Sequence, residues 1–321
     1  MRKTRLTLIA ISFFGLAAIV APQINSSVTG NAAAPVAMPD QPGTLSVWGD
    51  DSAHQITDAP TGELKAIAKG GAFQGLAIRA DGTLVLWGGF NDPLAVPPVP
   101  AAIASDEFVS VAIGRSHALA LRPDGSVVGW GNNSSGQLNV PSNVRFDAIT
   151  AGNSHSLGLA EDGTLYGWGS NAFGQINVPA GRFIEIAVRT QYSLALRDDG
   201  TLFGWGLNTL GMFDSWTPDG QGHFYVADRK FKGIAAGNFH ALAINVDKTV
   251  EAWGSNASGQ LNVPAGVRFK DIAGGFGYSL GLDVSGRLIA WGDNSMGQLN
   301  VPPGKFDAIS AVAFHAEAIS H

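Results

Sequence analysis

The 321-residue sequence has no cysteine, which excludes disulfides, thiolate metal sites and lipid attachment through a thiol. Charge is also scarce, at 14% of residues, whereas glycine occurs 42 times. That balance suits many short strands joined by tight turns and leaves little room for long solvated helices. The catalytic signatures with a readable spacing are missing too: no Gly-x-Ser-x-Gly elbow, no phosphate-cradling Gly-rich loop with its lysine, no His-Glu-x-x-His. Nothing in the sequence asks for a cofactor or a metal. Basic charge is in deficit. The net charge is −6, and without Arg2, Lys3 and Arg5 the chain has 17 basic against 26 acidic residues, or −9. A nucleic-acid backbone needs a basic face and is therefore excluded as a partner.

The basic residues that do exist are concentrated at the start. Residues 1–21 carry those three positive charges and then an uncharged, mainly apolar run from Leu6 to Ala21. This is the layout of a secretory signal, and the run is short for a bilayer span. An uncleaved anchor is the competing reading. Cleavage after Ala21 is followed awkwardly by Pro22, and Ala32 to Ala34 offers a later site. Residues 22–42, rich in Pro, Ala, Asn and Ser, read as a flexible lead-in. An exported chain without disulfides must draw its stability from core burial.

What the chain has in abundance is repetition. The pair Trp-Gly stands at Trp48-Gly49, Trp87-Gly88, Trp130-Gly131, Trp168-Gly169, Trp205-Gly206, Trp253-Gly254 and Trp291-Gly292. The intervals are 39, 43, 38, 37, 48 and 38 residues. A period of this size means one supersecondary unit stacked on copies of itself. In the best-formed copy, Phe146 to Ala151 reads as a strand, Gly152 to His155 as a loop, and Ser156 to Ala160 as a strand with leucines two apart. Asp162-Gly163 is a hairpin turn, because Gly tolerates positive φ there. Thr164 to Trp168 is the third strand, and Gln175 to Pro179 reads as a short fourth. Four antiparallel strands per unit are the blade of a propeller.

The leucine-alternating strand also recurs seven times, ending in a degraded copy at Ala316 to Ile319. The ordered part, residues 43–321, starts on a Trp-Gly strand and ends on the strand that should precede one. A ring closed by pairing the N-terminal strand with the C-terminal blade is the expected result, leaving no sheet edge exposed. The fold class is thus all-β, a seven-bladed propeller of four-stranded antiparallel blades.

The motif WGSNAFGQINVP followed by FIEIA, with ITAGNSHSLGLAEDGTL before it, resembles a known superfamily. It groups the regulator of chromosome condensation repeats with the secreted β-lactamase inhibitory protein II. The resemblance covers Gly43 to Ser320, and the repeat of about 38 residues is more similar to the inhibitor branch. It implies a seven-bladed propeller that docks a target protein with loops on one face.

Most repeated residues have structural readings. The Trp-Gly tryptophans pack between blades, and Asn133, Asn171, Asn208, Asn256 and Asn294 close side-chain turns. His117, His155, His240 and His315 recur once per unit at a position held by Tyr192 and Tyr278 elsewhere. A slot that takes Tyr as readily as His reads as a stabilising hydrogen bond rather than a metal site. Partner-binding candidates are the residues that the repeat leaves free. On the Gly152-to-His155 type of loop these are Phe73, Arg115, Arg189, Phe239, Phe276 and Phe314. On the Ser170-to-Gly174 type they are Phe173 and Met296, with Trp216 in a polar insertion. Aromatics and Arg are the residue types that anchor protein interfaces.

The sequence therefore points to a secreted, monomeric, non-catalytic protein-binding propeller, an inhibitor of an extracytoplasmic enzyme such as a β-lactamase. The alternative is an envelope propeller that binds or cleaves glycans with acids drawn from distant loops. Chromatin or small-GTPase regulation, as in the longer-repeat branch, is disfavoured by the export signal.

Overall fold

The computed structural model describes residues 42–68, 70–208 and 210–320. The expected signal segment, and all of the lead-in except Pro42, lie outside them. Among the described residues the chain is all-β, its one helical element being a three-residue 3₁₀ turn at Ala101–Ile103.

Each repeat forms an antiparallel triplet. In the third, Phe146–Ala151 pairs with His155–Ala160, which pairs with Leu165–Gly169. The register follows from the sequence. Asp162-Gly163 closes one end, with Gly163 at φ 85°, and at the other end Gly152 N–H donates to His155 O at 2.8 Å. The triplet recurs through the chain as Ser110–Ile113, His117–Leu121 and Val127–Gly131, and later as Phe269–Gly274, Tyr278–Asp283 and Leu288–Gly292.

The expected fourth strand does not form in these units. Asn171 takes the N–H of Ile176 onto its Oδ1 at 3.3 Å and donates Nδ2 to Asn177 Oδ1 at 2.8 Å. Val178 N–H turns back onto Ile176 O at 3.0 Å. The segment's own side chains therefore satisfy a backbone that would otherwise seek a ladder partner. The exception is the fourth unit, where the insertion supplies His223–Tyr225 as an outer strand on Leu202–Gly206, itself flanked by Thr217–Pro218.

The core lies between neighbouring triplets. Leu157, Leu159 and Leu165 of one pack with Phe183, Val188 and Trp205 of the next. Each fully buried large aliphatic contributes about 1.5–3 kcal/mol. The indole N–H groups add directionality: Trp168 donates to Gln137 O at 2.9 Å, Trp205 to Gln175 O at 3.0 Å and Trp291 to Gln260 O at 2.9 Å. The first and last strands among the described residues join in the same way. Gly43–Gly49 pairs with His315–Ser320 along its length. Trp48 donates to Gln298 O at 2.9 Å, and Leu64 and Trp87 share a cluster with Ala308 and Ile319.

The His/Tyr slot makes the expected hydrogen bonds, between units in every case but His315, whose Nε2 lies 3.2 Å from Glu317 Oε1 on its own strand. His117, His155 and His240 are fully buried and place Nε2 at 3.0, 3.2 and 2.9 Å from Ser156, Ser193 and Ser279 of the following unit. Those serines spend their own proton on the Gln137, Gln175 and Gln260 carbonyls, so each histidine must donate from Nε2, and burial keeps the rings neutral. Where the slot holds tyrosine, the longer side chain passes the serine position and reaches the next backbone. Tyr192 donates to Gly237 O at 2.8 Å or His240 O at 2.7 Å, and the following unit has Ala241 in place of serine.

Candidate binding site at the mouth of the inner cavity

The first strands of the triplets face inward around a cavity of about 110 Å³. Ala66, Val111, Ala148, Ile186, Ala235, Ala273 and Ala311, one or more from each repeat, form its wall. Glu185 is the one carboxylate among the described lining residues, and its Oε2 accepts the Ile234 N–H at 3.1 Å. At one end lies a second cavity, about 230 Å³, formed by the Gly152-to-His155 type of loop. We term this the mouth.

These loops are held by packing and by one another. A Cβ on Gly114, Gly152, Gly237 or Gly275 would lie 1.9–2.6 Å from the ring of the slot residue three positions on. Glycine allows the close approach in these four units, while Arg189 and Val312 stand at the same step before Tyr192 and His315. Backbone bonds then stitch one loop to the next: Asn153 N–H to Thr190 O at 3.1 Å, Asn238 N–H to Gly275 O at 3.1 Å and Phe276 N–H to Ala313 O at 2.8 Å.

The scaffold brings together six of the nine residues picked from the sequence. Phe239 lies edge-on to Phe276 at 5.2 Å, Phe276 lies 4.8 Å from Phe314, and Phe314 stacks on Phe73 at 5.9 Å. Arg115 continues the arc, its guanidinium 5.6 Å from the Phe73 ring. Asp92 grips Arg115 through two bonds of 2.6 and 3.0 Å, and that contact lowers the Asp92 pKa. Phe276 is exposed, and the other three phenylalanines are half-buried.

Arg189 occupies the base of the mouth and lines both cavities. It stands at the step where Gly114, Gly152, Gly237 and Gly275 occur in other units. Only 6% of it is exposed. Nε donates to Asn238 Oδ1 at 3.0 Å, and Nη2 has no partner among the described residues. Burial lowers its pKa. The next residue, Thr190, sits at φ 37°, a left-handed conformation that a β-branched side chain adopts only under strain.

The other three candidates lie elsewhere. Phe173 and Met296, 44% and 51% exposed, lie on the second loop type and line neither cavity. Trp216 is not presented at all. It is buried, tilted against Phe213 at 5.0 Å and edge-on to Trp253 at 5.3 Å. In the insertion, unlike the loops, an aromatic filled the gap left by the missing Gly-Gln motif. The sequence reading passed over Thr190 and Asn238, which complete the mouth. Thr190 was signalled by its place directly after the break in the Gly rule at Arg189, whereas Asn238 follows Gly237, where the rule holds, and carried no such signal.

Comparison with known proteins agrees with this architecture. The model of the regulator of chromosome condensation (RCC1) repeat matches residues 108–137, 146–175, 231–260 and 269–298. Among solved structures the chain is similar to Prp20p of Saccharomyces cerevisiae, with 17% identity over 88% of this chain and 92% of that one and a TM-score of 0.73. Human WBSCR16 shares 19% identity over 87% and 98%, with a TM-score of 0.69. The ectodomain of the Physcomitrella patens receptor kinase CR4 shares 24% over 76% and 65%, with a TM-score of 0.62. No curated protein matches the sequence.

Proposed function

For a chain that carries RCC1 repeats in that superfamily's all-β fold, we propose a non-catalytic protein-binding role. The molecule is a closed, monomeric ring of seven blades, and its mouth docks a partner. Three features support the ring: the pairing of the terminal strands, the Trp48 bond to Gln298, and the wall to which every repeat contributes. The observation that carries the binding role is the arc of Phe239, Phe276, Phe314, Phe73 and Arg115. These residues sit at positions the repeat does not dictate, on loops already fixed by inter-unit bonds. A preformed apolar surface with Arg at its edge loses little conformational freedom on docking. Prp20p, a protein of the same fold, binds Gsp1p and histones; for the present chain the partner is of a different kind.

The signal-like residues 1–21 favour export, and the partner is then an extracytoplasmic protein. The sequence resemblance to the inhibitor branch favours an enzyme target, a β-lactamase first. Cleavage of glycans is disfavoured, because two cooperating carboxylates are needed and the described residues lining the inner cavity include one, Glu185.

The test is direct binding of the propeller, residues 43–321, to a panel of purified β-lactamases and to an extracytoplasmic extract. A variant with Phe239, Phe276 and Phe314 changed to Ala is run beside it. Capture of a partner by the parent and its loss by the folded variant are expected, with loss of hydrolysis if the partner is a β-lactamase. Equal capture by both proteins would overturn the assignment of the mouth.

A further inference from the structure

The least explained group in the mouth is Arg189. Its guanidinium is a permanent cation, almost fully buried, with no carboxylate paired to it among the described residues. The second cation of the mouth, Arg115, is already neutralised by Asp92. No Asp or Glu lines the mouth cavity among the described residues. The repeat would place glycine at position 189, as it does at Gly114, Gly152, Gly237 and Gly275, so the fold does not call for the charge. Buried charges in proteins are ordinarily paired. A lone one that lines an open cavity, next to a strained Thr190, is the mark of a counter-ion supplied from outside.

We propose that the mouth receives a carboxylate: an Asp or Glu side chain of the protein partner enters between Phe276, Phe314 and Phe73 and pairs with the Arg189 guanidinium. This rests on the mouth being the docking face and names the chemistry recognised there. The phenylalanines exclude water from the entering group, which strengthens the ion pair. Asn238 holds the guanidinium through Nε, and Nη2, which has no partner among the described residues, is left for the carboxylate. In a chain of net charge −6, Arg189 makes the mouth a local positive spot, so an acidic contact on the partner is drawn to it.

The probes are 3-phenylpropionate and its neutral isostere 3-phenylpropionamide, which share the ring and differ in the head group. Their affinities for the whole propeller are read at pH 7 by ligand-observed NMR, a comparison that needs no variant. The acid should bind at least about tenfold tighter than the amide, the scale of one charge-assisted bond. In Arg189→Gln, checked for a cooperative melt no lower than the parent's, the two should bind alike. Equal affinities in the parent, a preference that survives Arg189→Gln, or binding of neither probe would each overturn the carboxylate. Equal affinities that both vanish in Phe276→Ala would overturn it while leaving the docking face standing. Protein capture by the parent but not the triple phenylalanine variant tests that face separately.

Discussion

Two arcs of one mouth are built on the same loop and carry opposite chemistry. From Phe239 through Phe276 and Phe314 to Phe73 the side chains touch ring to ring. Across the cavity stand Asn153 and Thr190, with Arg189 below them. Both arcs rest on a slot ring packed against the loop, His155 on one side and His240 or Tyr278 on the other. Both are stitched by backbone bonds of 2.8–3.1 Å. Folding therefore does not account for the contrast. An apolar patch beside a polar, charged one is the layout of a protein interface, whose core is desolvated and whose edge gives orientation.

Truncating Phe239, Phe276 and Phe314 to Ala is expected to have the largest effect, weakening partner binding by about a hundredfold or more. Asn153→Ala should cost less than about tenfold. Calorimetry on both variants breaks the comparison if the costs are equal or reversed.

The shared scaffold is tested by Gly275→Val, which drives a Cβ to 1.9 Å from Tyr278 Cε1. Destabilisation of about 2 kcal/mol or more is expected from urea unfolding. A neutral result would mean that the loops are not fixed by ring packing.

Acid should separate the arcs. Burial depresses the His155 and His240 pKa values from 6.5 to about 3, and that of His117 to about 4. The unfolded chain binds these protons near 6.5, so the stability they confer is whole above that pH and is lost as pH falls towards 4 and 3. Glu317, fully buried beside His315 at 3.2 Å, is shifted upward by burial. Its contribution has the opposite sign, present below its ordinary 4.5 and fading as pH rises. Tyr278, under Phe276, does not titrate in this range. Between pH 7 and pH 4 the Asn153 amide should lose more hydrogen-exchange protection than the Phe276 amide. Equal loss would count against the histidine slot as the cause.

The smallest effect, of opposite sign, is expected from Arg189→Gly, which restores the repeat's own residue. Removing an unpaired buried cation should raise stability by about 1 kcal/mol, net of the entropy cost of glycine. A chemical melt that shows destabilisation would mean that Arg189 serves the fold.

Much of this architecture was legible in the sequence, because it follows from local rules. The Trp-Gly pairs, the Asp-Gly turns and the two-residue leucine alternation each dictate one structural feature, and repetition multiplies the signal. The exchange of His for Tyr was a guide to a stabilising hydrogen bond, which runs between units everywhere but at His315. A finer rule was also readable: His117, His155 and His240 are followed one unit on by Ser156, Ser193 and Ser279, whereas Tyr192 and Tyr278 are followed by Ala241 and Ala316. The fourth strand was misread because Gln175 to Pro179 has a strand's alternation, and only Asn171 reaching five residues ahead diverts its backbone. Trp216 was misread because exposure in an insertion depends on what the missing motif leaves empty. That Arg189 is buried and lacks a counter-ion among the described residues depends on residues up to 49 positions away, such as Asn238, and no local pattern records it.

Docking is proposed at the mouth and not at the opposite rim of Asp-Gly turns. The most direct measurement places the photocrosslinker p-benzoylphenylalanine at position 276 in one protein and at position 161, beside the Asp162-Gly163 turn, in another. Each is irradiated in the same extracytoplasmic extract. A discrete adduct from position 276 and none from position 161 is the result predicted here. An adduct from position 161 alone, or the same adduct from both, would contradict it.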